Sequence, residues 1–422
     1  MANETVRQRK QPETKPPPTE VEASMTDEHP GGDIKHNPAV QILRLLAVLT
    51  YFLSACTSIV ATQLLGVPLY WISRDWYYAY MAQTKQSFGI AVTTLTQWWA
   101  PTVVRISGDA SVANEMRKTA DGRVELNFPE RIVMIANHQI YSDWLYLWWA
   151  GYTNKPHMHG HIYIILKESL KYIPIVGWGM QFYGFVFMSR KMEKDQPRLA
   201  HRLNVLKQVH SGPMSGSTGL DPMWLMLFPE GTNLSKDTRS RSAKWAEKTG
   251  LKDMVHVLTP RSTGSFFCLN ELKGTVDCVY DCTLAYEGVP RGQYGQDLYT
   301  LRSMYLQGRP PPSVSMYWRK FAMADIPLDN STKFEHWLRE RWLEKDDLLE
   351  QQLVTGYFPA SKSSSNGATK NGATDDGFIE TEVKLANWWE VGKIYLVLAT
   401  AGLASHWLVR CWFLLSKAIL GQ

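Results

Sequence analysis

From Leu45 to Ile72 the chain carries no charged side chain. An α-helix rises 1.5 Å per residue, so about 20 apolar residues cross the hydrocarbon of a bilayer. This run therefore predicts a spanning helix with length to spare. It starts too late and runs too long for a signal peptide. Residues 1–38 ahead of it carry Pro16-Pro17-Pro18, many charges and almost no large apolar residues, which predicts a disordered tail. After Arg74 and Lys85 a second uncharged stretch, Gln86 to Val104, is rich in Thr, Gln and Trp. It either returns as the second arm of a hairpin or lies flat at the interface, so residues 39–104 read as an N-terminal membrane helix or hairpin. Arg7, Arg9, Lys10, Lys15, Lys35 and Arg44 favour a cytosolic N-terminus. A single span then puts the following residues in a lumen. A returning arm puts them in the cytosol, which is the preferred reading.

The far end repeats the signal. Ile394 to Val409 is uncharged and a further apolar run follows Arg410, so residues 384–422 read as a C-terminal anchor, one span or a broken pair. Ser361 to Asp376 is low-complexity Ser, Gly, Asn and Ala, and residues 356–383 read as a flexible linker. Between the membrane segments, residues 105–355 alternate apolar strands with helical patterns, which indicates an α/β domain. Strands are expected at Val103–Ile106, Ile132–Ala136, His161–Leu166, Gly184–Met188, Trp224–Phe228, His256–Leu258, Val276–Ala285 and Ser313–Trp318. Asp195 with Pro197 predicts a helix start, and Phe334, Trp337, Leu338 and Trp342 give one apolar face to a helix from Thr332 to Leu353.

Four of these strands end in residues suited to chemistry. Ile132–Ala136 runs into Asn137-His138-Gln139-Ile140-Tyr141-Ser142-Asp143. Asp143 can hold the imidazole of His138 in one tautomer and stabilise the imidazolium formed when His138 takes a proton, an arrangement that suits the deprotonation of an alcohol. Gly184–Met188 delivers Arg190, whose planar fork of donors fits phosphate. Trp224–Phe228 turns through Pro229-Glu230-Gly231-Thr232. The segment Val255 to Gly264 ends in Pro260-Arg261.

These four segments, in this order and spacing, resemble the blocks of the glycerolipid acyltransferase family that includes the 1-acylglycerol-3-phosphate acyltransferases. Lys171 to Gln181, Phe228 to Ser235 and Leu258 to Gly264 look like its lysocardiolipin and lysophosphatidylinositol acyltransferase branch. The resemblance covers residues 100–290 closely. It implies a mixed sheet flanked by helices, with 105–355 as the acyltransferase domain in an endoplasmic reticulum membrane. It implies acyl transfer from acyl-CoA, as co-substrate and with no cofactor, to the free hydroxyl of a lysophospholipid. It casts His138 and Asp143 as catalytic, and Arg190, Glu230, Gly231 and Thr232 as phosphate-binding. Asn137, Pro229, Pro260 and Arg261 are further candidate substrate contacts. A carboxylate repels phosphate, so Glu230 is expected to orient Arg190 or to bond a glycerol hydroxyl. Lysophosphatidic acid as acceptor, a CoA-independent transacylase and a non-catalytic lipid-binding scaffold stay open, although a scaffold has no need of a base.

Composition narrows the partners. A net charge of +5 is too mild for nucleic acid but suits an anionic membrane surface or substrate. Seventeen tryptophans favour a membrane–water boundary. Five cysteines without a regular framework argue against a disulfide-stapled fold, and all five are read as packing residues. His157, His159 and His161 alternate, but no carboxylate or thiol set accompanies them, so no metal is expected. Neither a Gly-x-Ser-x-Gly elbow nor a P-loop occurs. The sequence leaves oligomeric state open.

Overall fold

The computed structural model describes residues 28–189, 191–359 and 377–420. Among the described residues the strands are β1 (Val103–Gly108), β2 (Met116–Lys118), β3 (Val124–Leu126), β4 (Arg131–Ala136), β5 (Ile162–Lys167), β6 (Val186–Met188), β7 (Met223–Leu227), β8 (Cys278–Tyr286), β9 (Ser313–Ala322) and β10 (Ile379–Glu382). The helices are α1 (Pro38–Gly66), α2 (Leu69–Ile72), α3 (Arg74–Trp99), α4 (Asp143–Thr153), α5 (Val176–Phe182), α6 (Met192–Leu206), α7 (Lys236–Thr249), α8 (Ser262–Leu272), α9 (Gly295–Leu298), α10 (Ser331–Thr355) and α11 (Lys393–Leu420). Eight strands form one mixed sheet in the order β10-β1-β9-β8-β4-β7-β5-β6, and β2 and β3 form a separate hairpin.

The middle of the sheet is parallel: β4 pairs with both β7 and β8, and β5 with both β7 and β6. Parallel strands are covered on both faces and read as continuous apolar runs, as β4 and β7 do. Their side chains alternate between two cores. Ile132, Met134, Ala136, Trp224 and Met226 meet the aromatic layer under α3 and α4. Val133, Ile135, Leu225 and Leu227 meet α6, α8 and α10 through Leu199, Leu269, Phe334 and Trp342. A buried ionic knot ties α10 to the sheet on this second side. Asp281 of β8 accepts from Arg319 Nη2 of β9 at 2.6 Å and is ion-paired with Lys345 of α10.

Several expectations need correction. His256–Leu258 is not a strand. The N–H groups of Val255 and His256 donate to the Asp346 carboxylate and that of Leu258 to Glu230, so side chains take the place of a strand partner. The expected linker ends early, because residues 379–382 are β10, paired antiparallel to β1. Ile379 and Thr381 point inward while Glu380 and Glu382 face out, an alternation hidden beside the low-complexity stretch. Helix α6 starts at Met192, ahead of Asp195, whose carboxylate reaches back to the N–H groups of Ser189 and Lys191. Of the five cysteines, Cys411 is exposed on α11 and packs no core.

Helices α1 and α3 pack together, with Arg44 near the start of α1 donating to the carbonyl of Trp99 at the end of α3. Helix α3 is embedded in the body: Phe88 meets Trp148 edge-on, 5.2 Å between ring centroids. Among the described residues, two helical stretches, Pro38–Ile72 and Trp388–Lys417, are long and apolar enough to cross a membrane. Leucines along α1 and the Trp407–Leu415 face of α11 are exposed.

Candidate active site

Because β4, β7 and β8 run parallel, their carboxyl ends share one edge of the sheet, the edge where open α/β sheets place their ligands. Three loops meet there. Asn137 anchors the first one, exchanging a pair of hydrogen bonds with the Leu284 backbone of β8 at 2.9 and 2.8 Å. It is fully buried, which turns this expected substrate contact into a structural clamp that extends the β4–β8 ladder.

The next residue is His138. Its Nδ1 lies 2.7 Å from Asp143 Oδ2. That oxygen also accepts the N–H groups of Gln139, at 2.6 Å, and Ile140, at 3.0 Å. Asp143 Oδ1 accepts the Tyr286 hydroxyl from the end of β8. Burial, and Asp143 beside it, hold the Tyr286 hydroxyl well above the usual phenol range, so it stays a donor. Asp143 is 0% exposed and satisfied on both oxygens, whereas the His138 side chain keeps 21% of its surface open. A carboxylate facing Nδ1 assigns the ring proton to that nitrogen. Nε2 is then the free lone pair, and no hydrogen bond occupies it among the described residues. The ring stacks on Phe228, 4.6 Å between centroids. The imidazole is held by its neighbours and its ring edge is open to solvent.

The Pro229-Glu230-Gly231-Thr232 turn closes the site from β7. Gly231 has φ +72°, a conformation favoured by glycine. Glu230 is buried. Its carboxylate accepts from the backbone of His138 at 3.2 Å, from the backbone of Leu258 at 3.3 Å and from the Trp342 indole at 3.4 Å. It thus joins three of the four sequence blocks and α10. Burial outweighs these donors and raises its pKa to about 8. The Arg261 N–H donates to the carbonyl of buried Pro229, and the Arg261 side chain lies beside Gly231. Arg261 is exposed with no ion-pair partner among the described residues, while Thr232 and Pro260 are half-buried. Strand β6 ends at Met188, on the same edge of the sheet. Arg190 lies outside the described residues.

Sequence reasoning missed Tyr286, Phe228 and Trp342. Each sits at a strand end or on a helix face where its side chain reads as ordinary core, and only long-range pairing brings it to His138. A cavity of about 430 Å³ opens beside the site, lined by Gln139, His256, Tyr286 and Arg291. Among the described residues, no cluster of His, Cys, Asp or Glu could hold a metal ion.

A mixed sheet whose parallel middle carries a braced His–Asp pair on its carboxyl edge, flanked by apolar helices, defines the class, and two sequence families match it. The acyltransferase family matches residues 118–283 and the acyltransferase C-terminus family residues 304–373. An uncharacterized acyltransferase of Schizosaccharomyces pombe is 35% identical over 351 residues, 83% of this chain and 92% of the relative. The 2-acyl-1-lysophosphatidylinositol acyltransferase of Saccharomyces cerevisiae is 37% identical over 313 residues, 68% of this chain and 78% of the relative. Lysocardiolipin acyltransferase 1 of Danio rerio is 32% identical over 228 residues, about half of each chain. The chain belongs to the glycerolipid acyltransferase family and is an acyltransferase.

Proposed function

We propose that the protein is an acyl-CoA-dependent lysophospholipid acyltransferase integral to the endoplasmic reticulum membrane, esterifying lysophosphatidylinositol or monolysocardiolipin in phospholipid remodelling. The 2.7 Å contact between His138 and Asp143, with Nε2 left open, carries the chemistry. The names of the relatives in Saccharomyces cerevisiae and Danio rerio support the acceptor class.

The lipid hydroxyl oxygen attacks the thioester carbonyl while His138 Nε2 takes its proton. The carbon–sulfur bond breaks, and the CoA thiolate leaves with that proton returned from the imidazolium. Atoms balance without a covalent enzyme intermediate. Asp143 stabilises the imidazolium, and a base so placed contributes about 10²–10⁴-fold in rate. Arg190 and Arg261 are the expected counter-charges of the acceptor phosphate, with the Gly231 and Thr232 N–H groups beside them. Glu230 positions the His138 loop. Apolar α1 and α11 hold the body at the bilayer.

The test is turnover by the purified full-length protein with labelled oleoyl-CoA and a panel of lysolipids. Product with lysophosphatidylinositol or monolysocardiolipin, abolished by His138→Ala, is expected. Product only with lysophosphatidic acid reassigns the acceptor, and normal turnover by His138→Ala rejects the mechanism.

A further inference from the structure

A cavity of about 1040 Å³ lies away from the His138 loop. It follows the outer edge of β6, between α3 and α6. In the strand order β6 stands three spacings from β4, about 14 Å. The cavity is cationic. Lys85 of α3 lines it and is only 2% exposed. Its ammonium sits 3.7 Å from the Tyr163 ring centroid, with no hydrogen bond or ion pair among the described residues. Arg74 and Arg202 line the same space, again without a carboxylate partner among the described residues. The two acids in its wall face His210 of the same wall: Asp75 lies 2.7 Å from His210 Nδ1 and Asp221 3.9 Å from Nε2.

A buried cation without a counter-ion is costly, and a cation–π contact offsets only part of that. Lysine can escape by losing its proton, but the two guanidinium groups cannot. The arrangement calls for an anion with several charged oxygens. The position of the cavity selects which one. The glycerol phosphate of an acceptor lies within a few bonds of the attacked hydroxyl, so it stays near His138. In acyl-CoA a long pantetheine arm separates the thioester from the phosphates. Tyr70, Tyr77 and Tyr78 add flat faces on which a base can stack.

We propose that this cavity is a second substrate site that binds organic phosphate, namely the phosphorylated nucleotide end of acyl-CoA, with Lys85, Arg202 and Arg74 as its counter-charges. The proposal rests on the acyl-CoA reading above. Titration calorimetry on the full-length protein in lipid nanodiscs, with CoA, glycerophosphoinositol and inorganic phosphate as ligands, tests it in the wild type, Lys85→Met and Arg202→Gln. Lys85→Met keeps the apolar stem and breaks no ion pair, so the fold survives and its thermal midpoint holds or rises. Each variant is expected to weaken CoA binding about tenfold or more, as loss of a charge-assisted contact does. The KM for acyl-CoA rises in parallel while that for the lysolipid stays put. Unaltered CoA affinity in both variants, or a loss confined to glycerophosphoinositol, overturns the assignment. A protein that binds CoA through these residues yet transfers no acyl group would sink the proposed function and leave this site standing.

Discussion

Replacing Asp143 by Asn isolates the charge of the dyad from its geometry. Oδ2 accepts from His138 Nδ1 and from the Gln139 and Ile140 N–H groups, and Oδ1 accepts from Tyr286. An asparagine whose carbonyl takes the Oδ2 position keeps the first three bonds. Its amide then faces the Tyr286 hydroxyl, which can turn and accept. The loop keeps its shape and His138 keeps its tautomer, so only the attraction between carboxylate and imidazolium is lost. With charge centres about 4 Å apart and an effective dielectric near 20, that attraction is about 4 kcal/mol. At 1.36 kcal/mol per tenfold, the ceiling is about 10³ in rate. The retained hydrogen bond recovers part, so kcat is expected to fall about 10²–10³-fold while both KM values move by less than about twofold. Initial rates with labelled oleoyl-CoA in mixed micelles measure this, and a melting curve checks the fold. A correctly folded Asp143→Asn protein with kcat within about tenfold of wild type would refute the electrostatic role of the carboxylate.

Other expectations follow from neighbouring contacts. Tyr286→Phe removes one hydrogen bond to Asp143, and kcat is expected to drop about five- to tenfold, since such a bond is worth about 1 kcal/mol; an unchanged rate would remove Tyr286 from the site. Folded Glu230 holds its proton up to about pH 8, against 4.5 for the free group. The folded state therefore binds more protons between these values, and stability falls as pH rises through that window and levels off above it. The full span corresponds to roughly 5 kcal/mol, and a denaturation series by pH should show a shallower fall for Glu230→Gln. Asp281→Ala leaves Arg319 and Lys345 buried without their shared acid, a loss of about 3–5 kcal/mol readable by chemical denaturation.

The sequence was a good guide where local pattern decides structure. The apolar runs of β4 and β7 marked strands of an α/β domain, and the residues at their ends drew attention as candidates for chemistry. His138 and Asp143 are close enough in sequence for their pairing to be foreseen. Glu230 was harder. Its three donors come from positions 138, 258 and 342, and nothing local says that a lone acid in a Pro-Glu-Gly turn points inward. Asn137 misled for the opposite reason: beside a histidine expected to act as base a polar side chain reads as a substrate contact, yet its partner is a strand backbone nearly 150 residues away. The segment at 256–258 has the composition of a strand but finds carboxylates where a neighbouring strand would be.

Strand β10 carries a consequence for how the polypeptide can be divided. It is stitched to β1 and leads directly to Glu390, which accepts the Tyr152 hydroxyl, and to Ile394, whose carbonyl accepts from Ser58 of α1. The tail is therefore woven into the body at several places, and those contacts are expected to outlast a cut between residues 360 and 376. A chain with a protease site inserted there and then cut should run as two bands on a denaturing gel, yet elute as one particle that still makes product.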